Sequence, residues 1–181
     1  MTHPFQRWPA SHRRATLILA AGASVLFLVA AVVAQPLPAG SDIVDFELAG
    51  SAARTQEILD VWRAEDAIGT AKALQLADLV FPLVYAGALA GACLAASGAW
   101  RRAGRPRAAA TGVALAWVAF AAAGFDYVEN LGLAVSLWGD PATPWPQIAM
   151  VAAVAKFAAI AATLLYAAAG LVATYAPRYR A

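Results

Sequence analysis

Four apolar stretches decide what this chain can fold into. Residues 15–34, 71–97, 108–137 and 147–176 are dominated by Ala, Leu, Val and Gly. An α-helix rises ~1.5 Å per residue, so ~20 apolar residues cross the ~30 Å hydrocarbon layer of a bilayer. All four stretches reach that length and are far too long for strands. The chain is 62% hydrophobic and 13% charged, whereas a soluble domain is about half apolar and about a quarter charged. The sequence therefore predicts an all-α integral membrane protein. It forms a four-transmembrane-helix bundle in one membrane domain over residues 1–181.

The first stretch has a second reading. Arg13 and Arg14 precede it, and Val32-Val33-Ala34 has the small-residue character of a signal-peptidase site. A cleaved signal has an apolar core of ~7–15 residues; this run is longer, which favours a retained helix. Orientation follows from the arginines. Arg7, Arg13 and Arg14 precede the first span; Arg101, Arg102, Arg105 and Arg107 separate the second and third; Arg178 and Arg180 follow the fourth. No acid shares that side. The other side carries Asp42, Asp45, Glu47, Glu57, Asp60, Glu65, Asp66 and Asp140 against Arg54, Arg63 and Lys72. The positive-inside rule places both termini and the second–third loop in the cytoplasm. Trp100, Tyr175 and Tyr179 suit the inner interface, and Trp138 and Trp145 the outer one. The Ala-rich, Arg-over-Lys composition points to a GC-rich bacterial genome, hence to a multi-pass protein of a bacterial inner membrane.

Residues 35–70 form the one sizeable polar segment, a short, partly helical outer loop between the first and second helices. Pro36 and Pro38 end the first span. Ser51 is placed to cap a helix reaching about Trp62, with Ile58, Leu59 and Trp62 on one face. Asp42 to Leu48 forms another turn or two. The loop is net acidic, so attraction to anionic lipid is not its role; a lid or a packing cap are both open. His3 and His12 fall in the amino-terminal tail, and Cys93 is the single cysteine, inside an apolar run. No intramembrane His or Cys metal site is expected, nor any cofactor. The basic loop is explained by topology, so no nucleic-acid partner is expected.

Four residues stand where hydrocarbon penalises them. Asp78, Asp126, Glu129 and Lys156 lie within the predicted spans, and each should face protein. Counting inward from the outer helix ends puts Asp78 at ~9 Å, Glu129 at ~12 Å, Lys156 at ~14 Å and Asp126 at ~17 Å. Such overlapping depths on three helices suit one shared site. Asp126, Glu129 and Asn130 share a helix face at i, i+3 and i+4. Asp78 and Tyr85 share a face, with Pro82 between them. Pro82 has no N–H, so the carbonyl of residue 78 loses its helical partner and a kink is expected there. Lys156 lies on the stripe of Ala152, Ala159 and Thr163, whose small side chains favour close helix approach. Asp126, Glu129 and Lys156 are the candidate catalytic residues; Asp78, Pro82, Tyr85 and Asn130 are candidate ligand-binding residues. Three acids against one lysine leave an excess of negative charge, which calls for a proton, a cation, a cationic ligand or water access.

In architecture alone, four spans with inward-facing acids resemble the sterol-isomerase-like four-helix membrane proteins and the membrane-embedded terpene cyclases. Three readings stay open. The first is a structural or accessory membrane component, homo- or hetero-oligomeric, whose charges fasten helices. The second is a protein that binds a lipid or small apolar ligand, or modifies lipid, by acid–base work such as isomerisation or cyclisation. The third is a proton- or cation-coupled transport subunit. The lipid bilayer is a partner in all three.

Overall fold

The computed structural model describes residues 2–7, 18, 22, 37, 38 and 40–175. The predicted first span, residues 15–34, lies outside them except for Ile18 and Gly22, both helical. After a short 3-10 turn at Pro4–Arg7, the described chain forms α1 (Ile43–Glu47), α2 (Ala52–Ala64), α3 (Ile68–Ala77), α4 (Phe81–Arg102), α5 (Pro106–Trp138) and α6 (Trp145–Tyr175). No strand occurs among the described residues. Three helices are long and apolar enough to cross a membrane: Phe81–Arg102, Pro106–Trp138 and Trp145–Val172.

The second predicted span is not one continuous helix. α3 stops at Ala77, Asp78 caps it, and α4 restarts at Phe81 with Pro82 in its first turn. Proline is unfavourable inside a helix and well suited to its first turn, because the N–H it lacks would be unpaired there anyway. The expected kink is therefore a full break. The third and fourth predicted spans agree with α5 and α6 to within about two residues, the uncertainty of helix ends.

α4, α5 and α6 pack on one another as an antiparallel bundle. Their contact surfaces are lined by small residues: Ala86, Ala90, Ala116, Ala119, Ala122 and Ala153 are all buried. Gly170 of α6 sits so close to Ala96 of α4 that a Cβ there would overlap the Ala96 side chain. One end of the bundle holds the arginine-rich turn between α4 and α5. There Arg105 lies over the Trp100 ring, 5.5 Å from its centroid.

The other end carries a cap made by α1, α2 and α3. Asp42 and Asp45 close a capping box at α1, each accepting the other's backbone N–H at 2.9 and 3.1 Å. Ser51 caps α2 by accepting from the Arg54 N–H at 3.2 Å, as its position in the sequence implies. Between them Gly50 has φ +63°, and a Cβ there would run into the Met150 thioether, so the linker demands glycine twice over. Ile58, Leu59 and Trp62 form the predicted apolar face of α2. With Phe46 they pack on Leu133, Leu137 and Ala149 at the ends of α5 and α6. The Trp62 indole donates to the Ser41 carbonyl at 2.6 Å. The exposed pairs Arg54–Glu57 and Arg63–Asp60 add little to stability.

His3 departs from expectation. Rather than lying in an aqueous tail, its ring is buried midway along α5, 4.7 Å from the Trp117 ring and 5.8 Å from Phe120. Aromatic neighbours favour the neutral imidazole, and burial pushes its pKa down.

Candidate functional site

The polar side chains of α5 meet their partners where the bundle joins the cap. α5 presents Asp126, Glu129 and Asn130 on one buried face, at most 3% exposed, as the i, i+3, i+4 spacing requires. α6 supplies Lys156, on a stripe that does face protein: Ala152 and Thr163 are buried, and Ala159 packs near Tyr85 and Ala122. α4 supplies Tyr85, one turn into the bundle from Pro82.

Lys156 is the hub. Its ammonium donates to Glu129 Oε1 at 2.8 Å and lies 2.7 Å from Glu129 Oε2. It also stands 3.6 Å from Glu47 Oε2 and 3.7 Å from Asp126 Oδ1. The Phe157 ring centroid is 4.8 Å away. Lysine thus occupies the point on which three carboxylates converge, the place a bound cation would take.

A second branch is carried by Asn130. Its amide donates to Asp126 Oδ1 at 3.2 Å and to Asp78 Oδ2 at 3.0 Å, and its oxygen accepts from the buried Gln75 amide. The Tyr85 hydroxyl donates to Asp126 Oδ2 at 2.8 Å. Asp126 therefore has both oxygens engaged. The break before α4 frees backbone carbonyls, as Pro82 dictates, and α5 covers them. The Asn130 amide approaches the Asp78 carbonyl at 3.5 Å, and the Tyr127 hydroxyl donates to the Leu79 carbonyl at 2.9 Å. Pro82 itself makes the break and offers no polar group to the cluster.

All of the charged and amide residues named from the sequence are brought together, while two further partners went unnoticed. Glu47 reaches the cluster from α1 and is 8% exposed. In the sequence it is one of many acids in a polar loop. Only its place beside Phe46, at the end of a turn opened by Asp42, hints that it points inward. Burial raises the Glu47 pKa above the ordinary carboxylate range, against the opposing pull of Lys156. Gln75 lies three residues before Asp78, on the same helical face, a cue that the spacing rule could have exploited.

Fold and cluster together define a helical protein with three apolar helices able to span a membrane and a buried ion network closed by a cap. No protein-family model matches the chain, and neither a characterised protein nor a solved structure matches it.

Proposed function

We propose that this chain is a structural or accessory component of a membrane, in which the polar cluster fastens the cap to the spanning helices. The observation that carries this reading is the saturation of Lys156. Its ammonium pairs with carboxylates from α1 and α5 while itself sitting on α6. Acid–base work on a ligand needs a reachable acid or base, yet Lys156 is 5% exposed and Glu129 is fully buried. Intramembrane polar contacts of this kind hold helices in register. The arginine-rich turn faces the cytoplasm and the cap faces outward by the positive-inside rule. Residues 15–34 would make a fourth span that brings both ends of the chain to the cytoplasmic side, and Phe5 of the turn at Pro4–Arg7 lies against Phe120 of α5. A bacterial inner membrane is the setting that the composition favours.

The test is unfolding in mild detergent of the wild type, Lys156→Met, Glu129→Gln and the double variant. Removing one partner of a buried pair leaves an uncompensated charge and costs ~3–5 kcal/mol. Lys156→Met, which leaves Glu47, Asp126 and Glu129 without their cation, should lose about that much; Glu129→Gln, which leaves Lys156 with Glu47 and Asp126, should lose less, and the double variant should recover part of the Lys156→Met loss. Single variants as stable as the wild type would remove the fastener reading and return the cluster to the ligand-binding and transport readings.

A further inference from the structure

The cluster is short of positive charge. Glu47, Asp126 and Glu129 place three carboxylates around one ammonium, and the half-buried Asp78 adds a fourth through Asn130. Asp126 is satisfied by Tyr85 and Asn130. Glu47 and Glu129 share Lys156 instead: Glu129 Oε2 lies 2.7 Å from its ammonium, whereas Glu47 Oε2 is 3.6 Å away, buried, and has no hydrogen-bond partner among the described residues. Lys156 donates its hydrogen bond to Glu129, so Glu47 is left with the longer approach. The Glu47 and Glu129 carboxyls thus flank the same ammonium, at 3.6 and 2.7 Å. Two carboxylates so placed repel, whereas a carboxylic acid beside a carboxylate makes a strong, short hydrogen bond. One proton shared between the two carboxyls would partner the unpaired Glu47 oxygen and remove one unit of the excess charge.

We infer that Glu47 and Glu129 form a proton-binding site that latches the cap to the bundle, closed while the proton is held and released when it is lost. The inference rests on the fastener reading and adds to it the ligand that completes the fastener. The surroundings set the direction. α6 faces Glu47 with Lys156; α5 faces it with Glu129 and Asp126; Asp78, at the end of α3, adds a further negative charge. α2 turns Thr55, Ile58, Leu59 and Trp62 inward, while its charged residues Arg54, Glu57, Asp60 and Arg63 lie on the exposed side. Lys156 is thus the one cation facing Glu47 among the described residues, and it is shared with two other carboxylates. In an open cap Glu47 would meet water and take its ordinary acidity. The closed state holds the proton more tightly, so its extra stability is present at low pH and is lost as pH rises through the raised pKa of Glu47.

Two measurements test this on the full chain in mild detergent. The first is infrared spectroscopy at neutral pH. The wild type should show the carbonyl band of a protonated carboxyl, which Glu47→Gln abolishes and Asp78→Asn leaves in place. The second uses Cys93→Ala protein carrying Thr55→Cys, buried under the cap, or Ala53→Cys on the exposed face of α2. The ratio of their maleimide labelling rates cancels the pH dependence of the thiol itself. That ratio should rise about tenfold per pH unit above the titration of Glu47, because one unit of pKa is a tenfold shift in population. With Glu47→Gln, which keeps a neutral donor, it should stay low and flat. A band that survives Glu47→Gln, or a ratio flat with pH in the wild type, overturns the proton site. If the Lys156→Met and Glu129→Gln losses still appear, the fastener stands without its proton. If they are absent too, both readings fall.

Discussion

The two halves of the bundle hold their helices by different means. Toward the arginine-rich turn, the contacts are small and neutral. Gly170 meets Ala96, the Ser97 hydroxyl donates to the Ala109 carbonyl at 2.6 Å, and the Tyr166 hydroxyl donates to the Ala108 carbonyl at 2.8 Å. Toward the cap, acidic side chains from α1 and α5 converge on Lys156 of α6, and an aromatic cluster closes over them. In the first half a hydroxyl leans on a carbonyl that its own helix already uses. In the second half each charge depends on another side chain. Loss of a partner is therefore mild in one half and severe in the other, because an orphaned buried charge costs far more than an unused hydroxyl.

The contrast assumes that the cap seals the ions from water, and Trp62 is the residue that tests this. Its side chain is fully buried, its ring lies 4.8 Å from that of Phe46, and its indole N–H is paired with Ser41. Trp62→Ala should cost about 3–5 kcal/mol of unfolding free energy, the range for a buried aromatic truncated to alanine. It should also make Thr55→Cys accessible to maleimide at every pH. A loss below ~1 kcal/mol would mean that the ions hold the cap without its apolar core.

The neutral half should fail by crowding rather than by charge. Gly170→Leu places a branched side chain where Ala96 already stands. Overpacking of this kind costs about 1–3 kcal/mol. Helix separation should relieve it, so Gly170→Leu should lower the unfolding midpoint while leaving the labelling ratio at Thr55 and Ala53 unchanged. A change in that ratio would show that the two halves are coupled through α6, and the comparison would have to give way to a single cooperative unit.

What the sequence revealed follows the same division. Hydrophobic length set α5 and α6 nearly to their ends, since nothing in those stretches competes with a helix. Depth counting brought Asp126, Glu129 and Lys156 together, because a charge in hydrocarbon has few places to go. Pro82 marked the right place with the wrong outcome. Whether proline kinks or ends a helix depends on whether a neighbour covers the freed carbonyls, and Asn130 and Tyr127 on another helix decided that. Glu47 was hidden for a related reason. In a water-facing loop an inward acid and an outward one are written alike, and only the docking of α1 against α5 and α6 separates them. His3 was misjudged because a short polar-looking tail gives no sign of the aromatic pair, Trp117 and Phe120, that receives it.

The smallest expected effect gives the finest test of the comparison. Tyr166 donates to the Ala108 carbonyl, and the same carbonyl accepts from its own helix four residues on. Tyr166→Phe keeps the ring beside Gly112 and removes one donor, leaving no buried acceptor unsatisfied. Interhelical hydrogen bonds in membranes average about 0.6 kcal/mol, so the unfolding free energy in detergent should fall by about that amount. The Tyr85 hydroxyl also meets α5, but its acceptor is the Asp126 carboxylate, which Asn130 and Lys156 alone would then have to satisfy. Tyr85→Phe should therefore cost measurably more than Tyr166→Phe, by about 1 kcal/mol, because hydrogen bonds to charged groups run about 1.5–3 kcal/mol. Equal losses for the two tyrosines would mean that Asp126 carries no charge for the hydroxyl to stabilise, and the ionic half of the bundle would be no more demanding than the neutral one.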